Sequence, residues 1–251
     1  MSEPIRDKRA MQKFYDDPQT VATYLRRKEG PLRSVLHARQ VRFVNDTIAR
    51  LEPQAVLELA PGPARLSAEI GPVPFAVGMD FSFNMLAVAK RRCAEAGRPY
   101  WHFCRGDGFM LPFPNAAFDL IFSVRFVRRW ELPQRRALYA EIRRVLKPGG
   151  HLILDAQNKL VAGPHREGRT GYPVYDELWL REDLVRELTE ASFTVQHLEG
   201  IMRRFTLQWR LNRLQRFRLG TPAKLLIQAI ERTASDENPS TWMVLSESPG
   251  R

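Results

Sequence analysis

The chain has 251 residues, 44% of them hydrophobic and 27% charged, an ordinary globular composition that excludes disordered, collagen-like and solenoid chains. No apolar run approaches the ~18 residues that span a bilayer, and the start MSEPIRDKRA lacks an apolar signal region, so a cytoplasmic protein is expected. Cys93 and Cys104 are the two cysteines; they show no metal-ligand spacing, so neither a zinc site nor a disulfide framework is expected.

The net charge of +11 is segregated. Residues 1–50 carry eleven Lys/Arg and six Asp/Glu, residues 51–200 nineteen and eighteen, and residues 201–251 nine and four. The two ends are basic and the middle is nearly neutral. This divides the chain into an N-terminal helical segment (1–50), a core (51–200) and a basic C-terminal part (201–251). Two basic ends face either solvent or something anionic: a phosphate-bearing substrate, a membrane surface or nucleic acid.

From Gln54 onward, apolar runs alternate with helix-like stretches. Ala55–Ala60 reads as a buried strand, Ala64–Ile70 as a short helix and Phe75–Met79 as a second strand. Ser82 is an N-cap for a helix over Ser82–Ala96, with Gly97 and Pro99 as stop signals. Tyr100–Cys104 and Phe118–Val124 are further strands. Pro133–Leu146 has helical apolar spacing and ends at Lys147-Pro148-Gly149-Gly150. His151–Ala156, a helix over Arg181–Ala191, and Phe193–Leu198 follow. Alternating strands and helices with near-continuous apolar strands imply a parallel, doubly wound α/β sheet. Ligands in such sheets bind beyond the carboxyl ends of the strands. The residues there are Glu58 to Arg65 around Gly62, then Asp80, then Gly106-Asp107-Gly108, then Ser123-Val124-Arg125.

Four stretches, in order and at normal spacing, resemble the class I S-adenosylmethionine-dependent methyltransferases: VLELAPGPARLS, VGMDFSFNML, RGDGFMLPFPNAAFDLIFS and EIRRVLKPGGHLIL. Within that family the likeness is to the ubiquinone/menaquinone-type small-molecule methyltransferases, over roughly Val56 to Leu198. The resemblance implies a mostly parallel seven-stranded Rossmann-like sheet and S-adenosylmethionine as cofactor. It implies that Glu58, Ala60 and Gly62 line the methionine moiety and that Asp80 holds the ribose hydroxyls beside Phe81. Asp107 with Gly108 would meet the adenine amino group, Ser123 and Val124 would sit under the sulfonium, and an N-terminal aromatic, Tyr15 or Tyr24, would close over the cofactor. Ala60 and Ala64 depart from the pattern, since they stand where the family usually has glycine; a left-handed backbone there would be strained. Arg128-Arg129 replace a histidine that relatives often carry after the fourth strand.

The acceptor side is expected from the N-terminal segment and from the loops after the fourth and fifth strands. Arg125 and Arg128 are candidates for holding an anionic group, because Arg grips carboxylate or phosphate bidentately; Arg135 and Arg136 read as helix-surface residues. The long loop Gln157–Tyr175 offers His165 and Tyr172 as a general base or positioning group. Where relatives make a tight return before the last strand (Thr241–Ser246), this chain inserts a stretch with eight basic residues and one acid between Arg203 and Arg232. Its Leu207, Leu211, Leu214 and Phe217 are expected to bury against the domain or a lipid, with the arginines outward. The preferred function is methyl transfer to a small-molecule or lipid-linked anionic acceptor, with peripheral contact to anionic membrane as a possible partner. The alternatives are an RNA methyltransferase using the basic flanks and a non-catalytic cofactor-binding protein.

Overall fold

The computed structural model of the chain describes residues 3–26, 30–166, 173–217, 219–233, 235 and 238–250. Seven strands make one sheet: β1 (Ala55–Leu59), β2 (Phe75–Asp80), β3 (Trp101–Arg105), β4 (Phe118–Ser123), β5 (Leu146–Gln157), β6 (Thr194–Ile201) and β7 (Thr241–Glu247). Their order is β3-β2-β1-β4-β5-β7-β6, parallel except for β7, which runs antiparallel to both β5 and β6. Three helices precede the sheet: α1 (Lys8–Asp16), α2 (Pro18–Arg26) and α3 (Pro31–Leu51). Four more accompany the strands: α4 (Phe83–Glu95), α5 (Leu132–Val145), α6 (Lys159–Arg166) and α7 (Arg181–Glu190). The insertion before β7 folds as α8 (Phe205–Asn212), a 3-10 turn (Arg213–Phe217) and α9 (Gly220–Thr233). This is the doubly wound, Rossmann-like arrangement that the sequence implies.

The central strands are apolar because both of their faces are covered. Side chains alternate between two cores. Leu57, Ile121 and Leu154 pack with Tyr139 and Ile142 of α5 and Leu184 of α7. Val56, Leu120 and Ile153 pack with Phe43 and Ile48 of α3 and Ala89 of α4. Each such fully buried large side chain contributes about 1.5–3 kcal/mol. Strand order reverses between β1 and β4, so the crevice of this fold opens above their carboxyl ends.

Several local expectations are corrected. Ala64–Ile70 is a series of turns, with N–H groups donating three and four residues back (Ala64 to Pro61 O, Ala68 to Ala64 O, Glu69 to Leu66 O). Gly62 and Ala64 have φ +54° and +52°, which a right-handed helix does not accept. Lys147–Gly150 do end α5, but β5 starts at once at Leu146; the four residues form a bulge, and the register jumps from Phe118–Leu146 to Leu120–His151. The loop after β5 holds α6, while residues 167–172 lie outside the described residues.

The insertion packs mainly on α3, through Ala223, Ile227 and Glu231 of α9. Leu207 and Phe217, expected to be buried, are exposed on the domain, and Leu211 and Leu214 are half-buried. The apolar spacing within α8 is too short to fix which side meets the domain; the four-residue spacing of α9 does that instead.

Arg135 is not a surface residue. It is 3% exposed and joins α5 to α7: Nε and Nη2 donate to the two Glu187 oxygens at 2.7 and 2.6 Å, and Nη1 to Glu177 at 2.7 Å and to the Trp130 carbonyl at 2.6 Å. Its neighbour Arg136 is exposed and pairs loosely with Glu190 at 3.4 Å. Removing one partner of a buried pair strands the other charge, whereas an exposed pair contributes little. Arg135→Ala should cost about 3–5 kcal/mol in urea unfolding, near the low end because Tyr139 Oη and Trp179 Nε1 still donate to Glu187. Arg136→Ala should cost less than about 0.5 kcal/mol.

Candidate cofactor and acceptor site

The site begins where β1 ends. Ala60, Gly62 and Ala64 all adopt left-handed backbone, at φ +58°, +54° and +52°. The chain therefore turns back on itself, and Gly62 N–H donates to Asp80 Oδ2 at 2.9 Å. The other Asp80 oxygen accepts from Ser82 N–H at 2.9 Å, so the carboxylate is fixed between two loops. A Cβ at Gly62 would meet nothing within 4 Å; the space above this loop is free. Ser82 caps α4 by accepting from Met85 N–H at 3.2 Å, and its hydroxyl donates to Asp16 Oδ1 at 2.9 Å. Asn84 Nδ2 donates to the Asp16 carbonyl at 2.9 Å. The end of α1 is thereby fastened across the end of β2.

A cavity of about 1260 Å³ lies above these strand ends, larger than the ~300–1,000 Å³ typical of a single-ligand pocket. Glu58, Ala60, Gly62, Asp80 and Phe81 line it at one end. Asp107 and Gly108 line the same end; a Cβ on Gly108 would press the Phe126 ring at 3.0 Å. Asp107 is already engaged: Oδ1 accepts from Phe109 N–H at 3.0 Å, and Oδ2 accepts from Lys8 of α1. Ser123 is set back from the cavity. It is fully buried and its hydroxyl donates to the Leu59 carbonyl at 2.9 Å, bracing β4 on β1; Val124 lines the cavity in its place.

On the other side stand Tyr24 and Arg125. Arg125 has φ +65°, and its N–H donates to Asp155 Oδ1 at 2.5 Å. Its guanidinium lies 5.8 Å from the centre of the Tyr24 ring, its Nε is buried without a hydrogen-bond partner, and among the described residues no carboxylate forms a salt bridge with it. Arg128 touches the cavity but is 5% exposed, with its charge met by Asp155 at 3.7 Å and Asp176 at 3.2 Å. Its place is thus in the cavity wall, as part of a buried ion-pair network. His165 lies in α6, against Phe205 and Trp209 of α8 at ring separations of 4.9 and 5.6 Å, and its Nε2 is 3.2 Å from Thr206 Oγ1. Tyr172 lies outside the described residues. His37 of α3 also lines the cavity and pairs with Glu69 at 2.8 Å.

Burial pushes the Glu58 carboxyl up to about 7, although the Ser67 hydroxyl donates to it. Burial also raises Asp80, against the backbone N–H groups of Ser82 and Gly62. Among the described residues, neither carboxylate is ion-paired. Two buried acids on the wall of an open cavity are matched by a ligand bearing positive charge and hydroxyl donors. S-adenosylmethionine, with its ammonium, sulfonium and ribose diol, fits this donor set.

Sequence reasoning missed Lys8, Asp155 and Asp176. Lys8 meets Asp107 across 99 residues of chain, and no local pattern marks it. Asp155 had a signal, an acid near the end of a buried strand, where only a partnered charge is tolerated.

Residues 56–150 match a family model described as a methyltransferase domain. A demethylmenaquinone methyltransferase of Renibacterium salmoninarum is 36% identical over 132 residues, 52% of this chain and 53% of that protein. One from Lactococcus lactis is 36% identical over 88 residues, 35% of this chain and 34% of the other. The chain thus spans about half the length, or less, of these curated relatives. Among solved structures, the magnesium protoporphyrin IX methyltransferase of Synechocystis with bound SAH has a TM-score of 0.66 at 13% identity, covering 96% of this chain and 100% of its own. The [4+2]-cyclase SpnF has a TM-score of 0.66 at 17% identity, covering 99% and 98%. At these identities the structural likeness carries the fold alone. Residues 56–150 thus carry a methyltransferase-domain match in sequence, and the chain as a whole shares the Rossmann-like fold of these solved structures.

Proposed function

We propose that the protein transfers a methyl group from S-adenosylmethionine to a small-molecule acceptor that carries an anionic group. The observation that carries this reading is the convergence of Asp80, Glu58 and Gly62 with Arg125 and Tyr24 on one cavity. Bound S-adenosylmethionine supplies a methyl on a positively charged sulfur, which an acceptor nucleophile takes by in-line displacement. The protein's part is then alignment above all. Asp80 would hold the ribose hydroxyls, and the loop at Ala60–Gly62 would hold the methionine part against Glu58. Arg125, strained and pinned by Asp155, presents a guanidinium without a carboxylate partner where the acceptor would sit. Such a group binds a carboxylate, phosphate or ionised hydroxyl; where the bound ionised hydroxyl is itself the nucleophile, its proton is already gone and no separate base is needed. His165, with Phe205 and Trp209, would form an aromatic wall for the acceptor's apolar part. The relatives are named for demethylmenaquinone, which supports a non-macromolecular acceptor.

The direct test is transfer of radiolabelled methyl to extracted metabolites, lipids and RNA. Label in a small acidic acceptor is expected. Label in RNA alone, or cofactor binding with no transfer to any fraction, would overturn the proposal.

Asp80→Ala should weaken cofactor binding about a hundredfold or more by calorimetric titration, because two hydrogen bonds to a charged acceptor, each worth about 1.5–3 kcal/mol, are lost. Binding within twofold of wild type would remove Asp80 from the site.

Arg125→Ala should raise the acceptor KM about tenfold or more, the loss of one charge-assisted bond, with cofactor affinity within about twofold. An unchanged KM would show that the acceptor makes no use of this charge.

Glu58 sets the pH dependence. Its folded value is raised, so the stability it contributes is complete below the ordinary carboxyl range and is lost as pH rises through about 7. A cationic ligand favours the ionised form. Cofactor affinity should therefore rise roughly tenfold between about pH 5.5 and 7, with proton release on binding. Glu58→Gln should flatten that rise, and an unaltered slope in this variant would assign the pH dependence elsewhere.

A further inference from the structure

The insertion has two faces. Its inner face carries Phe205 and Trp209 to the cavity and packs Ala223, Ile227 and Glu231 inward. Its outer face gathers several exposed large apolar side chains in one stretch of sequence. Phe217 is 74% exposed and Leu225 62%, and Leu219 and Leu226 are exposed beside them. These residues lie close together. Leu219 N–H donates to the Leu214 carbonyl at 3.3 Å, and Ala223 N–H to the Leu219 carbonyl at 3.1 Å, which ties the 3-10 turn Arg213–Phe217 to the first turn of α9. On α9, Leu225 lies 200° around the axis from the inward Ala223, and Lys224 and Leu226 flank it.

Charge completes the picture. Arg210, Arg216 and Lys224 are exposed, and the guanidinium of the exposed Arg213 lies 5.7 Å from the centre of the Trp209 ring. The one acid between Arg203 and Arg232 is Glu231, and it is 2% exposed. Its oxygens accept from the N–H groups of Met202 and Arg203, both at 2.9 Å, and from Gln208 Nε2 at 2.8 Å. The acid is used inside, so among the described residues the outward face combines apolar side chains with basic ones that form no salt bridge.

We propose that this face docks on an anionic lipid bilayer. Phosphates alone would answer the basic residues but leave Phe217, Leu219, Leu225 and Leu226 in water. A second copy of the same face would bury the apolar residues but bring like charges together. A bilayer surface with acidic headgroups takes both: the apolar side chains enter the headgroup–acyl boundary and the basic ones stay at the phosphates. Among the described residues no helix is long and apolar enough to cross a membrane, so the contact is peripheral. Because the same insertion lines the cavity from within, docking would set the cavity wall beside the lipid phase. The surface stands whether or not the acceptor is a lipid.

The test uses the full chain with no cofactor or acceptor, so its failure leaves the methyl-transfer proposal untouched. Co-sedimentation compares vesicles of phosphatidylcholine alone with vesicles of phosphatidylcholine and phosphatidylglycerol. Binding is expected only to the anionic vesicles, and high salt should abolish it. Arg216→Ser with Lys224→Ser should reduce partition about 25-fold, near fivefold per charge. Phe217→Ser with Leu225→Ser should reduce it about tenfold or more without changing the thermal unfolding midpoint, since both residues are exposed. Four results would each overturn the proposal: no binding to anionic vesicles, equal binding to neutral ones, wild-type partition in both double variants, or RNA binding that outcompetes vesicles and ignores Phe217 and Leu225. So would a stable dimer in solution that dissociates when Phe217 and Leu225 are replaced.

Discussion

The hydrogen bond from Gly62 N–H to Asp80 Oδ2 holds the site in place. It joins the loop after β1 to the end of β2, and it exists only because the chain reverses through three left-handed residues. Two of the three are alanines, each carrying about 1–2 kcal/mol of steric strain that glycine would avoid. That strain is offset by what the turn secures. The Asp80 carboxylate is bonded on both oxygens, the loop approaches the crevice closely, and Ala64 is wholly buried in the core beside α3. Relaxing the loop would release Asp80 and, through Ser82, the anchor of α1 at Asp16.

Electrostatics divides the cavity into two regions. At the β1 and β2 ends, Glu58 and Asp80 are buried with no ion pair among the described residues, and burial raises both. Past β4, carboxylates and guanidiniums neutralise one another, with Asp155 and Asp176 against Arg128. Arg125 stands at the boundary. Its backbone is committed to Asp155 and its side chain, among the described residues, to no carboxylate. A region with buried acids therefore adjoins one where a guanidinium faces the cavity.

The sheet was legible in the sequence because burial on both faces forces near-continuous apolar runs, as in Val56–Leu59 and Phe118–Phe122. The cap at Ser82 was legible because capping is local. The strand-end acids were legible because topology fixes where strand ends meet. The helical reading of Ala64–Ile70 failed because apolar spacing carries no record of a left-handed turn just upstream. Arg135 was misread because an arginine on an amphipathic helix looks alike whether it faces water or a buried glutamate 52 residues away. Ser123 shared the strand end with Val124, but strand alternation turned its hydroxyl to the Leu59 carbonyl and left Val124 facing the cavity.

The last two strands have a consequence for how such proteins diversify. β6 and β7 are paired along their full length, and the ladder closes at Ile201 opposite Thr241. That pair works as a clasp: whatever lies between its two residues leaves the sheet at one point and returns beside it. Closing a chain detour grows costlier only slowly with length, about 0.6 kcal/mol for each doubling. A lineage can therefore lengthen, shorten or exchange the segment at this point without disturbing the strands that hold Asp80 and Glu58. Part of the cavity wall can thus change through a splice between two neighbouring residues of a finished ladder, while the strand ends that carry Asp80 and Glu58 stay as they are.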